Sequence, residues 1–361
     1  MRLAVSMPTA PPLPFAPGRA PRLPIWAAPM AGGPSSTALI AAVGGAGGLG
    51  LVPGGYLSAE DFAERLDAVE AATDAPWGAN LFLPGPPTTD PAGVAAHAAA
   101  LEPLAAAHGV GLGEPRWEDD ALDAKVEVLL GRRPAVVTFT FACPDPGLVG
   151  RLREATGAVV VATATTPEEA GEATAAGVDG LALQGAEAGG HRGAFVDDRA
   201  FPGGGELVPL LDLVARTREV TPLPLVAAGG LMHGRDVRRA LDAGASGVVL
   251  GTAFLCTPEA GTSETHRRAL LERRYAGTTV TRAFTGRPAR GLANPLALAH
   301  PDAPSAYPEV HHLTRPLRAA AASQGDPDAV HLWAGEGWRD VTEEPAGALV
   351  ARLAANAGLP R

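Results

Sequence analysis

The chain carries a histidine directly after a pair of glycines, at the end of an apolar run. Residues 180–193 read GLALQGAEAGGHRG, so the apolar run ends at Gln184 and Gly189-Gly190 precede His191. Paired glycines let a backbone approach a ligand closely, and histidine exchanges protons near neutral pH more readily than other side chains. The pattern predicts a ligand-binding loop with a general base. A Gly-rich turn with a solvated His191 has the same local signature.

Further glycine pairs follow other apolar runs of the chain. They are Gly32-Gly33, Gly54-Gly55 and Gly229-Gly230, and Gly251-Thr252 lies at the end of the last run. In a parallel barrel the active site lies at the carboxyl ends of the strands, and the loops after the seventh and eighth strands commonly bind phosphate. The backbone N–H groups of these last two loops, with the Thr252 hydroxyl, therefore predict a phosphate site.

Two neutral amides, Asn80 and Gln184, lie near the ends of the third and sixth apolar runs. An amide can hydrogen-bond the edge of a flat heterocycle, and each can equally cap a neighbouring loop. No GxGxxG motif follows the first run, which argues against a Rossmann dinucleotide site. Flavin mononucleotide (FMN), which carries one phosphate, fits a barrel better.

The elements that must position these residues are eight continuous runs rich in Val, Leu and Ala, which alternate with helical patterns. Runs without period-two alternation are typical of strands buried on both faces. The class is α/β, and the predicted fold is a parallel (β/α)8 TIM barrel with a C-terminal helical and irregular extension; an open doubly wound sheet is the alternative. The predicted strands lie at residues 25–30, 47–55, 77–84, 135–144, 158–165, 180–184, 223–231 and 247–255.

The composition of the chain changes at both ends. Residues 1–22 form a Pro-rich leader with the composition of a disordered segment, residues 23–278 form the barrel, and residues 279–361 are polar and broken by Gly and Pro before short Ala-rich helical pieces. The last segment is interpreted as a lid or cap on the barrel mouth, or as a docked tail.

Composition limits the possible partners of the chain. Its 361 residues carry a net charge of −10, which argues against nucleic-acid and anionic-membrane partners. No apolar run has the length of a membrane span or of a signal-peptide core, so a cytoplasmic location is expected. Cys143 and Cys256 belong to no metal-binding pattern, and no metal site is predicted. Lys125 is the only lysine, which we interpret as the coding bias of a GC-rich genome.

Several motifs resemble those of the nitronate monooxygenase family, formerly called 2-nitropropane dioxygenases, which are FMN-dependent barrel enzymes. The resemblance covers residues 24–295, and its most specific block is QGAEAGGHRG. The motifs are APMAGG (28–33), GAN (78–80), QGAEAGGHRG (184–193), AAGG (227–230) and LGTAFL (250–255).

The resemblance implies oxidation of alkyl nitronates by O2 to a carbonyl compound and nitrite, without a nicotinamide or a metal. His191 matches the catalytic histidine of the family. It would abstract the α-proton of a neutral nitroalkane or, as the imidazolium, hold the nitronate; both roles need a pKa near the working pH. Arg192 could assist electrostatically, but a solvated side chain is expected. The implied FMN contacts are Pro29, Met30, Asn80, Gln184, Gly189, Gly190, Gly229, Gly230, Gly251 and Thr252.

Three other functions remain open on the same barrel. An FMN-dependent enoyl-acyl-carrier-protein reductase and an NAD(P)H:quinone reductase would keep the flavin and His191, but Gln184 stands where the first of these tends to carry Glu. A barrel that binds FMN without turnover would need no base. The end of the fourth run reads TFTFACP, where related enzymes often place histidine or glycine, so the pocket wall near Thr140 and Cys143 is expected to differ.

Overall fold

Residues 10–360 are described by a computed structural model, in which eight parallel strands form a closed barrel. In chain order the strands are β1 (Ile25–Ala27), β2 (Leu49–Pro53), β3 (Trp77–Phe82), β4 (Val136–Thr140), β5 (Val159–Ala164), β6 (Gly180–Gln184), β7 (Gly190–His191), β8 (Leu225–Ala228), β9 (Gly247–Leu250), β10 (Thr278–Thr281) and β11 (Ala289–Leu292). All except β7, β10 and β11 belong to the barrel. The ring closes where β9 pairs with β1, so the TIM-barrel prediction is confirmed and an open sheet is excluded.

Helices surround the barrel and extend beyond it. They are α1 (Thr37–Gly45), α2 (Ala59–Ala72), α3 (Pro91–Ala107), α4 (Leu122–Leu130), α5 (Pro146–Thr156), α6 (Pro167–Ala175), α7 (Leu210–Arg218), α8 (Gly234–Asp242), α9 (Glu264–Leu271), α10 (Pro295–Ala299), α11 (Glu309–Ser323) and α12 (Ala346–Asn356). Ser36, Ser58 and Thr166 cap α1, α2 and α6 through their side-chain oxygens, which satisfies N–H groups that lack partners inside a helix. No helix within residues 10–360 combines the length and apolar character needed to cross a membrane.

The strands are buried on both faces, as their composition predicts. Successive side chains of a strand point to opposite faces, so Ile25 and Ala27 pack outward against the helices, while Trp26 joins a separate cluster inside the barrel. Leu13 and Phe15 pack against that inner cluster, and the Ser246 hydroxyl donates to the Pro11 carbonyl at 2.7 Å.

Residues 10–22 therefore pack against the amino-terminal end of the barrel, although their composition is that of a disordered segment. Their apolar side chains find a partner in the barrel interior, which composition alone does not reveal. Residues 1–9 of the predicted leader lie outside the described residues.

The C-terminal segment lies on the carboxyl end of the barrel and beside it. Strands β10, β11 and β7 form a three-stranded antiparallel sheet, which ties the segment to the loop after β6. The last helix, α12, packs beside α8 and α1 and so takes a place in the outer ring of helices. The division of the chain at residues 22 and 278 stays a prediction.

Candidate active site

A cavity of about 760 Å³ opens at the carboxyl ends of the barrel strands. Its volume lies within the range of small-molecule and cofactor sites, roughly 300–1,000 Å³. Loops after β1, β3, β6, β8 and β9 form one side, and the C-terminal segment forms the other. Every site residue suggested by the sequence lines it: Pro29, Met30, Asn80, Gln184, Gly189, Gly190, His191, Gly229, Gly230, Gly251 and Thr252. The roles of these residues stay predictions.

The loop after β8 carries the features of an anion site. Gly229 and Gly230 have φ values of +131° and +68°, a region that L side chains rarely adopt. Within residues 10–360, the backbone N–H groups of Gly229, Gly230, Leu231 and Thr252 donate to no acceptor, and all four residues line the cavity. Unpaired backbone donors at the edge of a cavity suit a phosphate group.

The side-chain amides of Asn80 and Gln184 differ in whether their oxygen atom already has a hydrogen-bond partner. Asn80 Nδ2 donates to the hydroxyls of Thr138 and Thr140 at 2.9 and 3.0 Å, while its buried Oδ1 has no partner among residues 10–360. That oxygen can accept a hydrogen bond from a ligand in the cavity. Gln184 instead donates to the His191 carbonyl at 2.9 Å and accepts from the Gly193 N–H at 2.8 Å, so its amide braces the loop.

The unpaired N–H groups and the free Asn80 oxygen fit a flavin mononucleotide. A phosphate is an acceptor for backbone N–H groups, and a flavin ring offers an N–H to an acceptor such as Asn80 Oδ1. The described residues contain no group of three or more His, Cys, Asp or Glu side chains that could hold a metal ion.

His191 lies on β7, which is a short strand and not the loop predicted from its glycines. Its backbone pairs with Ala289 of β11, and its Nε2 lies 2.9 Å from the Thr285 hydroxyl. Burial, assisted by the positive charges of Arg287 and Arg318, lowers the pKa of His191 to about 3. This lowered pKa runs against the expectation of a pKa near the working pH, since the C-terminal segment packs over the half-buried imidazole and adds two nearby cations.

Two buried arginines provide positive charge without a carboxylate within 4.0 Å in the described residues. Arg318 donates to Thr314 Oγ1 and to the His311 carbonyl at 2.9 Å each, and Arg287 donates to backbone carbonyls of residues 192 and 194. Burial lowers the pKa of Arg318 to about 10, so this side chain is still a cation at neutral pH. Unpaired buried cations favour an anionic ligand.

Aromatic and imidazole side chains complete the wall opposite the barrel. The Tyr56 ring stacks on His311, with centroids 4.2 Å apart and planes 2° apart, and Tyr307 and Trp333 lie 5.7 and 5.4 Å from the His191 ring. Burial raises the pKa of Tyr56 to about 12 and lowers that of His311. These groups are therefore neutral, and the positive charge of the wall comes from arginine.

Arg192 is buried, which contradicts the expectation of a solvated side chain. Its guanidinium donates to the carbonyls of Gln184, Gly185 and Glu206 at 3.3–3.4 Å. The side chain therefore holds the loop after β6 in place. Cys143 and Cys256 are free thiols whose pKa values burial raises to about 11.

Reasoning from the sequence missed the part of the site that the C-terminal segment supplies, because this segment has no regular pattern. One signal was available on α11, where His311, Arg315 and Arg318 recur at i, i+4 and i+7 and thus share one helix face. All three line the cavity. The other missed wall residues are Tyr56, Phe141, Thr285, His331 and Trp333.

Comparisons with known proteins agree with the geometry. The family described as nitronate monooxygenase matches residues 20–356. A nitronate monooxygenase from Pseudomonas aeruginosa is 41% identical over 344 residues, which cover 91% of this chain and 95% of that protein. A probable nitronate monooxygenase from Staphylococcus aureus is 34% identical over 338 residues, covering 91% and 93%.

Solved structures of similar proteins also match this chain over most of its length. A nitroalkane oxidase from Streptomyces ansochromogenes superposes with a TM-score of 0.90 at 46% identity, covering 94% of this chain and 97% of that chain. FabK from Thermotoga maritima superposes with a TM-score of 0.71 at 24% identity over 93% of each chain, a likeness that shows the fold alone.

Proposed function

The chain belongs to the nitronate monooxygenase family, and we propose that it oxidises alkyl nitronates with O2 to a carbonyl compound and nitrite, with FMN as cofactor. The observation that carries this proposal is the pair of buried arginines, Arg287 and Arg318. Neither has a carboxylate partner among residues 10–360, and their charges help to lower the pKa of His191 beside a cavity of cofactor size. A nitronate is an anion, and this charge distribution suits it.

The proposed cofactor site uses the residues that the cavity brings together. The N–H groups of Gly229, Gly230 and Thr252 would hold the phosphate, and Asn80 Oδ1 would accept a hydrogen bond from the ring. Pro29, Met30, Gln184, Gly189, Gly190 and Gly251 would complete the contacts. When bound, FMN supplies the electron transfer from the substrate to O2.

Positive charge in the wall would bind the nitronate. Arg318 lines the cavity and is a cation at neutral pH, whereas the lowered pKa of His191 keeps the imidazole neutral before an anion binds. Low dielectric around a buried cation strengthens its attraction for the bound anion. The nitronate would therefore bind to arginine, and His191 would provide shape and a hydrogen bond.

The electrostatics favour a nitronate over a neutral nitroalkane. A neutral nitroalkane must first lose its α-proton, and a base whose pKa is about 3 accepts a proton weakly at neutral pH. The nearby cations stabilise the carbanion that would form, so slow turnover of nitroalkanes is compatible with the site. The Thr285 hydroxyl, 2.9 Å from His191 Nε2, would keep the imidazole oriented for this step.

Anaerobic mixing of the purified holoenzyme with a short alkyl nitronate, and separately with NADH or NADPH, tests this function. We expect the nitronate alone to bleach the flavin absorbance and nitrite to appear when air is admitted. Bleaching by the nicotinamide with an inert nitronate would contradict the proposal and identify a reductase. Retention of the flavin without response to either reagent would identify a flavin-binding protein without turnover.

The variant His191→Asn separates the two substrates. We expect it to keep its flavin and lose nitroalkane oxidation by at least about a hundredfold, the usual contribution of a positioned base, while nitronate oxidation falls much less. Full retention of nitroalkane oxidation would remove the role of His191 as base.

A net charge of −10 and two free thiols support a cytoplasmic enzyme whose partners are small molecules and O2.

A further inference from the structure

Phe141 follows β4 in a backbone conformation that phenylalanine rarely adopts. Its φ is +90°, a region in which a bulky side chain strains the backbone. A residue keeps this conformation only where the surrounding structure fixes it. The ring is nearly fully buried, with 3% of the residue exposed, and it lines the cavity.

Four side chains hold the Phe141 ring in place. The Arg287 guanidinium lies over one face, 4.0 Å from the ring centroid, and the Phe82 ring lies 4.5 Å away. His191 and Tyr307 meet the ring edge to face at 5.8 and 5.5 Å. Cation–π and aromatic contacts of this kind stabilise the position of the ring and offset the backbone cost.

The ring lies between a buried cation and the substrate cavity. Phe141 lines the cavity, and Arg287 is not part of the wall that residues 10–360 form. Since the Arg287 guanidinium packs on the ring itself, removal of the ring would enlarge the cavity beside His191 and expose a positive charge to it. A small residue at position 141 would therefore give a larger pocket with the Arg287 guanidinium in its wall.

We propose that Phe141 is a specificity-determining residue, which restricts the side of the pocket next to His191 to nitro compounds with short substituents. The inference rests on the proposed function and adds the class of substrate. A substituent that extends toward Phe141 meets an aromatic ring that four neighbouring side chains hold in place.

The test compares wild type with Phe141→Ala and Phe141→Gly on the nitronates of nitroethane and 1-nitrohexane. We expect the ratio of kcat/KM for the hexyl over the ethyl substrate to rise at least about tenfold in both variants. Glycine adopts φ +90° without strain, so Phe141→Gly provides a folded variant if alanine lowers stability.

Binding without turnover gives a second measurement. Alkanoates carry a planar anion of the same shape as a nitronate and cannot be oxidised in this way, so calorimetry on the holoenzyme measures their dissociation constants directly. Hexanoate is expected to bind at least about tenfold more tightly to both Phe141 variants than to wild type, relative to propanoate. Phe139→Ala is the matched control, because Phe139 is buried on β4, two residues before Phe141, but is not part of the cavity wall within the described residues.

The outcomes distinguish the two proposals. If wild type oxidises ethyl nitronate but the substrate and alkanoate ratios of both Phe141 variants stay within about twofold of wild type, the role of Phe141 is wrong and the proposed function stands. If Phe139→Ala changes the ratios as much as Phe141→Gly does, the effect comes from general loosening and the role of Phe141 is also wrong. If wild type oxidises no nitronate, the proposed function itself fails.

Discussion

Arg318 is the residue that most directly links this fold to an anionic substrate. It is buried, it lines the cavity, and its hydrogen bonds go to a hydroxyl, a carbonyl and the rings of His311 and His331. None of these partners is a carboxylate. Its charge is therefore balanced by no side chain that bonds to it and is available to a ligand.

Replacing Arg318 with methionine should weaken nitronate binding more than turnover. Loss of the cation removes an attraction that exists before the reaction begins, so KM should rise at least about tenfold while kcat changes less. Arg282→Met is the control, since Arg282 pairs with Asp197 and is not part of the cavity wall within the described residues. Steady-state kinetics with ethyl nitronate would contradict this role if KM stayed within twofold of wild type.

Among the elements, the irregular stretch of residues 109–121 braces the site from behind. The Gly113 N–H donates to the carbonyl of Leu313 on α11 at 2.8 Å. Asp120 accepts the Tyr56 N–H at 2.9 Å and pairs with Lys125 at 2.8 Å. Tyr56, which has a φ of +68°, then stacks on His311. The only lysine of the chain thus supports the wall of the cavity through Asp120.

Lys125→Met should destabilise the fold by about 3–5 kcal/mol, because it leaves the Asp120 carboxylate buried without its counter-ion. The double variant Lys125→Met/Asp120→Asn should recover much of this loss, since a neutral amide needs no ion partner. Urea unfolding at neutral pH measures both. A double variant no more stable than the single one would mean that the pair acts only through packing.

A second contact between elements lies where the C-terminal segment meets the loop after β6. A side chain at Gly189 would collide with the backbone of Ala334 and Gly335, and the Gly335 N–H donates to Thr252 Oγ1 at 2.9 Å. The segment therefore approaches the proposed cofactor site closely enough to require glycine.

Gly189→Ala should push this segment away from the barrel and weaken flavin binding. We expect the dissociation constant of FMN, measured by fluorescence titration of the apoprotein, to rise at least about tenfold, or 1.4 kcal/mol. Gly171→Ala is the matched control, because open space surrounds that position on α6. Equal affinity in wild type and Gly189→Ala would show that the contact does not hold the cofactor site closed.

The sequence was informative about the barrel half of the site and uninformative about the other half. Continuous apolar runs and glycine pairs mark the strands and their carboxyl ends, so Asn80, His191 and Gly230 could be found from local patterns. Strand β10 reads TTVT and has no apolar run, and the positive φ of Phe141 follows from packing between distant residues. Such features depend on tertiary contacts that no local pattern encodes.

At the scale of the whole molecule, both ends of the closed barrel are covered by other parts of the chain. Leu13 and Phe15 seal one end, and the C-terminal segment covers the other. Four imidazoles are enclosed under this cover, and burial is the largest cause of the lowered pKa of each. They are His191, His266, His311 and His331.

This enclosure should make the fold sensitive to acid. An unfolded histidine binds a proton near pH 6.5, whereas His191 and His266 do so near pH 3 and 4 in the folded chain. Between these values the unfolded state binds more protons, so the free energy of unfolding falls as pH falls. The slope is about 1.4 kcal/mol per pH unit for each imidazole, and on the order of 5 kcal/mol per unit for four.

Urea unfolding between pH 6 and 5, below the pKa of an unfolded histidine and above the folded pKa values of His191 and His266, measures this slope. His266→Asn should reduce it by about 1.4 kcal/mol per unit, because one proton fewer is taken up on unfolding. Leu270→Ala, a buried and non-titrating position on the same helix, should lower stability by a similar amount at every pH and leave the slope unchanged. An unaltered slope in His266→Asn would mean that this imidazole stays accessible to protons in the folded protein and that the cover over the cavity opens readily.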